Sequence, residues 1–584
     1  MKLEYLTLAV YFAFLLILGG VFAKFNKNLS DFARGGSQLT WWMVGMSILM
    51  AGISAFTFTG NASSAFEAGP SLLVIYVANV LGFGLGWLYL ARRYRQTRAY
   101  TTADVIHGRF GTAAEQFNIY LGLILGPLGS AVQLWALAVF VSSVFGFPLV
   151  GTIVAIGAIT VFYSASGGAW AVIATDFVQG VILLGITVLV AVLAFVEIGG
   201  VAGFLHHAAD PRFAADFAWI KPAGQFPSDR YTWSWALAIF AMQFIGQVHL
   251  GSAGRYLAVK DGREASRAAL MGMILMAVGS FVWFLPPMVA RFLYEAEVLG
   301  SGINDPATIA YAVAARHLLP DGLMGVLIAA MFAATMSSMD SGLNGQTSSI
   351  VRNLLPRLRS ALGWTPLEEA TQVRLCRFIS VGLGALIIGA ALLLSTQTRV
   401  ALFDAFLTIG SFIGAPLGLP LLAGILFRRL PGWCYFFIFG GGLLPPLVSL
   451  ILEHGGGGPA WTIQQRTLWV LASGGVATAL CLVFARLGPA EARHRTEEFF
   501  RKMETPVDFA REVGESRDWV QALLLGRSVT AMGILLLGFL LVPNPLAGRL
   551  QILALSAFTL LIGLGLWWAG LRGQKRAPKP APSA

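Results

Sequence analysis

The sequence predicts an all-α polytopic membrane protein, and three observations support this fold class. Hydrophobic residues make up 57% of the 584 residues, and only 12% are charged. The mean hydropathy is +0.72, whereas a soluble protein of this length needs a much larger polar fraction. Apolar stretches of about 18 residues or more recur from end to end, which is the length that a helix needs to cross a bilayer.

We predict about 15 transmembrane helices. Their expected limits are 4–23, 41–66, 69–91, 117–144, 148–165, 170–197, 232–252, 268–291, 322–350, 377–395, 400–427, 434–453, 467–485, 527–543 and 548–570. No connection between them is long enough for a separate globular domain, so 1–584 is predicted to be a single membrane domain. Charges of alternating sign over 491–515 predict a surface helix within the charged loop 486–527.

The loops predict the orientation of the chain in the cell membrane. With the N-terminus outside, the alternate connections that face the cytoplasm hold about three quarters of the 40 Lys and Arg residues. This is the positive-inside pattern. We therefore expect a multi-pass protein with its N-terminus outside and its C-terminus in the cytoplasm.

The net charge of +11 does not predict a nucleic-acid partner, because the basic residues lie between apolar segments. The three cysteines are far apart and form neither a disulfide framework nor a metal-ligand spacing. The seven histidines show no HExxH or comparable spacing, and no Walker loop is present. The sequence thus predicts no enzyme activity, no organic cofactor and no ATP-driven transport.

The stretch MFAATMSSMDSGLNGQTSS, at 331–349, places polar groups deep in an apolar helix. At 100° per residue, one stripe of this helix carries Ala334, Ser337, Ser338 and Ser341. Asp340 and Asn344 flank that stripe. Hydroxyls that bond back to their own helix would be a purely structural alternative. Three hydroxyls and a carboxylate on one face instead favour a site for a hard cation such as Na⁺, because intramembrane acids are usually functional.

Two further features belong to the same interpretation. Asp176 lies several residues inside the apolar segment GGAWAVIATDFVQGVILL and has no basic neighbour in sequence. The segment 41–67 is interrupted by Gly, Ser, Thr and Asn between Gly52 and Ser64, which predicts a broken helix. Discontinuous membrane helices supply free carbonyls to ions in secondary transporters.

The sequence resembles the sodium:solute symporters, a family that includes sugar, proline, pantothenate and sialic acid cotransporters. The most specific match is GFPLVGTIVAIGAITVFYSASGGAWA, at 146–171, which has the family's Tyr-Ser, two residues, Gly-Gly pattern at Tyr163, Ser164, Gly167 and Gly168. It departs from the pattern at Ala169, where Leu, Met or Phe is usual. The segment from Ile245 to Gly272 is similar to the family's connection between core helices six and seven.

This resemblance implies a ten-helix core of two inverted five-helix repeats, of the leucine-transporter type. One helix precedes this core and about four follow it. The implied parts are a first helix with its cytoplasmic connection (1–39), the transport core (40–429) and peripheral C-terminal helices (430–584).

The resemblance also implies where ions bind. The family's main sodium site maps to carbonyls of Met50 and Ile53 on core helix one, and to Ala334, Ser337 and Ser338 on core helix eight. A second cation site, found in some members, maps to Asp176, Ser337, Asp340 and Ser341. Asp340 stands where those members tend to have Ser, which leaves open a second Na⁺ or a proton on one of the acids.

The family's solute-contacting positions map to a set of mostly neutral polar residues. They are Thr57, Tyr76, Asn79, Gln247, His249, Asp404 and Thr408. The Gln, Glu and Lys of the sugar-transporting relatives are not reproduced here, but the set still favours a sugar or polyol-like solute.

The function that we expect is Na⁺-coupled import of a small organic solute by alternating access. The partners implied are the solute, Na⁺ as coupling ion and the lipid bilayer. The alternatives are proton coupling, another solute class such as an amino acid or carboxylate, and a transporter-like sensor or channel.

Overall fold

The computed structural model describes residues 2–25, 28–166, 168–303, 305–396, 402–455, 461–485, 490–516 and 518–576. Gly167, one of the residues that carry the family resemblance, lies outside this part of the chain. The described chain is helical, apart from one isolated bridge between Leu39 and Val259.

The helices of the first half begin with a single long apolar helix and continue through a broken one. They are α1 (Lys2–Ala23), α2 (Leu29–Arg34), α3 (Trp41–Ala51), α4 (Ala55–Phe58), α5 (Gly60–Ala68), α6 (Leu73–Leu85), α7 (Ala91–Gln96), α8 (Thr102–Phe110), α9 (Thr112–Phe145), α10 (Leu149–Ser166), α11 (Ala169–Glu197), α12 (Gly200–Ala208) and α13 (Trp233–Val248). A π-helical segment, Gly86–Leu90, joins α6 to α7. A 3₁₀ segment, Leu250–Ala258, follows α13 at a bend of 45°.

The second half contains the helix that carries the serine stripe and the C-terminal helices. They are α14 (Gly262–Leu293), α15 (Glu295–Leu299), α16 (Ala310–Leu318), α17 (Leu323–Ser349), α18 (Leu355–Ala361), α19 (Glu369–Ser395), α20 (Leu402–Ile409), α21 (Ala415–Leu426), α22 (Cys434–Gly455), α23 (Ile463–Val483), α24 (Ala490–Glu504), α25 (Phe509–Glu512), α26 (Asp518–Leu537) and α27 (Leu546–Arg576).

Twelve helices or continuous helix runs of the described chain are long and apolar enough to cross a membrane, or thirteen with the bent pair at α13. Two shorter apolar helices, α3 and the stretch Leu149–Ser164, fall below that length. The all-helical membrane architecture is thus confirmed, and the count of about 15 stays a prediction. The surface helix expected at 491–515 corresponds to α24 and α25.

The centre of the bundle is built around α17 and α11. In the most apolar stretch of α17, 89% of the residues are buried inside the protein, and the corresponding share for α11 is 72%. These two helices pack against each other, and α3 and α9 pack against α17. The acids of α11 and α17 are therefore enclosed by protein rather than by lipid, as charged groups at this depth require.

Candidate cation site and solute chamber

The helix break expected between Gly52 and Ser64 is confirmed. Helix α3 ends at Ala51, and the extended backbone of Ser54 starts α4 four residues later. A second break at Thr59 separates α4 from α5. The break frees carbonyl groups in the buried centre of the bundle, where no water is available to satisfy them.

The hydroxyl of Ser338 lies among these carbonyls and can donate one hydrogen bond to them. Its Oγ lies 2.7 Å from the Ile53 carbonyl oxygen and 3.3 Å from that of Met50. Thr335, one turn earlier on α17, accepts a hydrogen bond from the amide of Ala55 at 2.9 Å. Helix α17 therefore holds both ends of the break and brings the Ser338 hydroxyl together with three carbonyl oxygens, including that of Ala51 at 3.2 Å.

The other two residues of the expected main sodium site lie on the same buried part of α17. Ala334 is fully buried, and Ser337 is 1% exposed. The Ser337 hydroxyl lies beside the Asp176 carboxyl. Neither the Ser337 Oγ nor the Asp176 Oδ1 has a hydrogen bond of good geometry within the described chain.

Asp176 is held from its other side by residues distant in sequence. Its Oδ2 accepts a hydrogen bond from the Ser47 hydroxyl of α3, and Arg255 donates to the same hydroxyl. The Arg255 guanidinium also forms an ion pair with Asp176, with an N–O distance of 3.4 Å. A buried carboxylate needs such a partner, because burial of an isolated charge is very costly.

Asp340 and Ser341 differ in their surroundings. Asp340 is buried, and its Oδ1 accepts a hydrogen bond from Ser164 of α10. The Ser341 hydroxyl instead donates to the Ser337 carbonyl of its own helix at 2.6 Å. Ser341 thus shows the structural pattern of a membrane serine, whereas Asp340 faces a neighbouring helix.

A cavity of about 300 Å³ begins beside this cluster. Its walls include Ser341, Asn344 and Arg255, and it extends to Arg34 and Tyr100. The cavity therefore connects the cation cluster with the end of the bundle that holds α2 and α8.

A side chain stack closes that end of the cavity. The Tyr100 ring lies between the guanidinium carbons of Arg34, 3.8 Å from the ring centroid, and Arg352, at 3.9 Å. Arg352 also binds Asp104 at 3.0 Å. Burial raises the pKa of Asp104, but Arg352 and the Asn353 amide more than offset this, so the pKa lies below its usual value.

The structure brings the expected solute residues together in two groups. Tyr76 of α6 lies next to Thr57 of α4, and the Tyr76 hydroxyl accepts a hydrogen bond from Asn61 at 2.8 Å. Gln247 of α13 donates to Asn79 of α6 at 3.3 Å. These side chains can bind a hydroxylated solute, since each can both donate and accept hydrogen bonds or exchange its present partner.

The remaining expected solute residues occupy other positions. His249 lies at the bend after α13, where its Nδ1 accepts a hydrogen bond from the Gly251 amide at 2.8 Å. Asp404 of α20 pairs with Arg230 at 3.3 Å. Thr408 lies on the same helix, one turn beyond Asp404. His249 therefore has a structural contact, and Asp404 belongs to an ion pair at the opposite end of the pathway from Tyr100.

Sequence reasoning missed several polar residues of the site. Ser47, Ser164 and Arg255 were not assigned to it, because each lies in a separate helix and only the fold brings it to the acids. Gln133 of α9 was also missed. Its Oε1 is buried, and its side chain has no hydrogen bond with any described residue. An isolated Gln in the apolar run LGSAVQLWALAVF was the available signal.

The level of Gln133 follows from the antiparallel packing of α9 on α17. Gly126 of α9 lies against Gln346 of α17, since a Cβ added to Gly126 would overlap the Gln346 side chain. In the same way, a Cβ added to Gly342 of α17 would lie 3.9 Å from the Ser130 Oγ of α9. Continuing this register places Gln133 at the level of Ser338. The amide therefore lies at the depth of the helix break, where α4 also contacts α9.

Comparisons with known proteins identify the family and the fold of the chain. A model of the Sodium:solute symporter family matches residues 32–432. The sodium/sialic acid symporter SiaT of Proteus mirabilis (strain HI4320) is 24% identical over 441 residues, which cover 73% of this chain and 85% of SiaT. Solute carrier family 5 member 4B of Mus musculus is 25% identical, covering 76% of this chain and 72% of that protein. Sodium/glucose cotransporter 2 of Rattus norvegicus is 24% identical, with coverages of 77% and 72%.

A solved structure shows the same fold. The substrate-bound, outward-open Na⁺-coupled sialic acid symporter superimposes with a TM-score of 0.69 at 20% identity, covering 83% of this chain and 98% of that one. The family match extends over well over half of the chain and includes every residue of the cation cluster. The chain therefore belongs to the sodium:solute symporter family, as a multi-pass membrane transporter with Na⁺ as its coupling ion.

Proposed function

We propose that this protein imports a small organic solute together with Na⁺ by alternating access. The observation that carries the proposal is the position of the Ser338 Oγ, which lies against the Met50 and Ile53 carbonyls at the helix break. Oxygen atoms of a hydroxyl and of free carbonyls at a half-helix end are the ligands that secondary transporters offer to Na⁺. Ala334 and Ser337 complete this proposed main site.

The proposed core is residues 40–429, arranged as two inverted five-helix repeats, with 1–39 before it and 430–584 after it. It falls within the matched range 32–432. About 15 membrane crossings result if the broken α3–α5 helix, the short α10 and the bent helix at α13 each cross the bilayer once. We propose that the N-terminus lies outside and the C-terminus in the cytoplasm, in accordance with the basic loops.

Na⁺ binding would couple to solute binding through the broken helix. The hydroxyls of Ser338 and Thr335 bridge α17 and the break. The ion would replace the Ser338 hydrogen bond with several ion–oxygen contacts and fix α4, which carries Thr57, relative to α17. A chamber ordered in this way binds solute more tightly, which is positive cooperativity between the two sites. Inward movement of each charge along the membrane potential contributes roughly 2.3 kcal/mol per 100 mV.

Contacts at the two ends of the pathway would alternate. Arg230 and Asp404 join the segment before α13 to α20 at the proposed outer end. The stack of Arg34, Tyr100 and Arg352 closes the proposed inner end. Both contacts are made of partly exposed side chains, so each is weak enough to open during transport.

We propose a neutral, polyhydroxylated solute of the sugar or polyol class. The side chains proposed to contact the solute are uncharged and form hydrogen bonds. They are those of Thr57, Tyr76, Asn79, Gln247 and Gln133, and they define the solute chamber. Two of the relatives named above are named for sugars, glucose, which is neutral, and sialic acid, which also carries a carboxylate, so they support the sugar class rather than its charge. An amino acid or carboxylate solute is the alternative, and it would use the positive end of a half-helix as its anion partner.

A second cation is favoured by a separate observation. The buried cluster contains two carboxylates, Asp176 and Asp340, and one guanidinium, Arg255. One further positive charge would balance it. The Asp176 Oδ1 and the Ser337 Oγ, neither of which has a hydrogen bond of good geometry to a described residue, are available to that cation. The cation is either a second Na⁺ or a proton on one of the acids.

Uptake into proteoliposomes tests the proposal. The purified protein would be given radiolabelled neutral sugars, polyols, amino acids and carboxylates, under an inward gradient of Na⁺ or of K⁺. Accumulation of one class with Na⁺ alone is expected. Uptake driven by a pH gradient without Na⁺ would indicate the proton-coupled alternative. Na⁺ currents that require no solute would indicate a channel, and solute binding without uptake would indicate a sensor.

A further inference from the structure

A basic cavity lies away from the transport pathway, at the end of the bundle that holds the basic loops. Its volume is about 460 Å³. It lies between the turn after α21 and the first turns of α24. Among the described side chains, the guanidiniums of Arg428, Arg429 and Arg493 and the carboxylate of Glu497 line it.

The wall formed by the turn after α21 is rigid. Arg109 is fully buried and donates to three carbonyls of this region: Gly424 at 2.7 Å, Phe427 at 3.0 Å and Leu430 at 2.9 Å. These bonds satisfy carbonyls that the end of α21 would otherwise leave unpaired. The backbone of the turn is thereby held inward, while the side chains of Arg428 and Arg429 are exposed.

The second wall, α24, is fixed to the same buried centre. Arg109 also donates to Thr496 at 3.4 Å, and Arg495 donates to the Phe110 carbonyl at 3.3 Å. Phe499 and Phe500 of α24 are buried. The two walls thus meet around Arg109 and Phe110, so the arginines on both walls keep a defined separation.

The arginines of the turn are open to a ligand. Arg428 forms an ion pair with Glu504, but both side chains remain about half exposed. Arg429 is exposed and has no hydrogen bond, ion pair or ring contact within the described chain. Surface ion pairs of this kind contribute little, so an anion that binds both guanidiniums can replace the Glu504 contact.

Aromatic side chains beside the cavity indicate that it lies at a membrane surface. Phe427, Trp433, Phe437 and Phe484 lie at helix ends around the cavity and are all more than a third exposed. Exposed aromatic rings at helix ends are typical of the interface between lipid headgroups and acyl chains. Basic pockets between helices at this level bind the phosphates of anionic lipids.

We propose that the cavity lined by Arg428, Arg429 and Arg493 binds the phosphate of an anionic phospholipid. The guanidiniums would bind the phosphate, and the acyl chains would lie along the exposed aromatic rings. Bound lipid would join the turn after α21 to α24. Free phosphate has the same headgroup chemistry, so the test must separate the two sources.

The test measures the melting temperature of the full-length protein in a neutral detergent. The probes are dioctanoyl phosphatidylglycerol, dioctanoyl phosphatidylcholine and inorganic phosphate. Three variants are compared with wild type: R428Q/R429Q, R429Q alone, and the control R374Q/R377Q. The control removes the same charge from two exposed arginines of α19 that do not line the cavity. R429Q changes an exposed side chain without described contacts, so it leaves the fold intact.

We expect phosphatidylglycerol, but not phosphatidylcholine, to raise the melting temperature of wild type and of R374Q/R377Q at the same concentrations. The phosphatidylglycerol concentration needed for the same rise should increase about fivefold in R429Q and about 30-fold in R428Q/R429Q. Each Arg near an anionic lipid surface contributes a similar free energy of binding, which corresponds to about fivefold in affinity. An equal effect of inorganic phosphate would support the site with soluble phosphate as its ligand. Equal effects of both lipids, or equal losses in the two double variants, would overturn the proposal.

Discussion

The exchange of Ser338 for Ala tests the sodium site most directly, because it removes one proposed ligand oxygen. In the structure, the Ser338 hydroxyl donates to the Ile53 carbonyl at 2.7 Å. A neutral hydrogen bond of this kind contributes about 1 kcal/mol, and an interaction with a charged group about 1.5–3 kcal/mol. Ala loses both, so only the difference, about 0.5–2 kcal/mol, weakens Na⁺ binding. The half-saturating Na⁺ concentration should rise about 2- to 30-fold.

The assay is the melting temperature of the purified protein as a function of Na⁺, with K⁺ keeping the ionic strength constant. A ligand that binds only the folded state stabilises it by RT ln(1 + [L]/Kd), so the half-saturating Na⁺ concentration, called the Na⁺ midpoint below, is obtained by fitting the melting temperature against the logarithm of the Na⁺ concentration. Ser349→Ala is the matched control, because the Ser349 hydroxyl donates to the Gly345 carbonyl of the same helix. A Ser338→Ala protein that melts cooperatively and keeps the Na⁺ midpoint of wild type would refute the assignment of Ser338 as a ligand.

Three further predictions concern other charged groups. In Asp340→Asn, the amide oxygen still accepts the Ser164 hydrogen bond, but the negative charge is lost. We therefore expect the number of charges moved per solute, measured from reversal potentials, to fall by one. An unchanged number of charges per solute would exclude a cation at Asp340. Arg230→Gln removes a partly exposed ion pair with Asp404, which is worth about 0–1 kcal/mol. Labelling of an introduced cysteine in the solute chamber from outside should therefore accelerate up to about fivefold, and slower labelling would contradict an outer gate. Burial lowers the pKa of Lys221 from 10.5 to about 8. Between about pH 8 and 10.5 the unfolded chain therefore binds more protons than the folded one, so the melting temperature of wild type should rise with pH relative to that of Lys221→Met. Parallel pH profiles of the two melting temperatures would contradict this.

The central features of the site could be predicted from local sequence. A helix of apolar residues that carries Ser337, Ser338 and Asp340 on one side indicates a buried polar surface, because lipid does not tolerate those groups. The break after Ala51 was predictable for a similar local reason, since Gly52 and Ser54 weaken the helix at the position where it ends. The polar side of α17 and the break after Ala51 both depend on residue spacing within one helix, and that spacing can be read directly from the sequence.

The partners of the acids could not be predicted, because they depend on packing between helices. Arg255 lies in the predicted connection between the spans 232–252 and 268–291, and nothing in its neighbours indicates that it lies against Asp176. The number of crossings stays a prediction, because α3 and the stretch Leu149–Ser164, which lie within the predicted spans 41–66 and 148–165, are each shorter than a full membrane crossing. Short and broken helices occur in this core because their ends form the site.

The net charge around Asp176, rather than the number of ligand atoms, would determine how tightly the proposed second cation is bound. Arg255 neutralises one of the two carboxylates, and it is partly exposed to the cavity that extends to Tyr100. When the inner end opens, water in that cavity would solvate Arg255 and weaken its hold on Asp176. The same water would also screen a cation bound beside Asp176, because its attraction to the carboxylate falls as the local dielectric constant rises. Opening of the inner end would therefore favour release of the proposed second cation into the cavity.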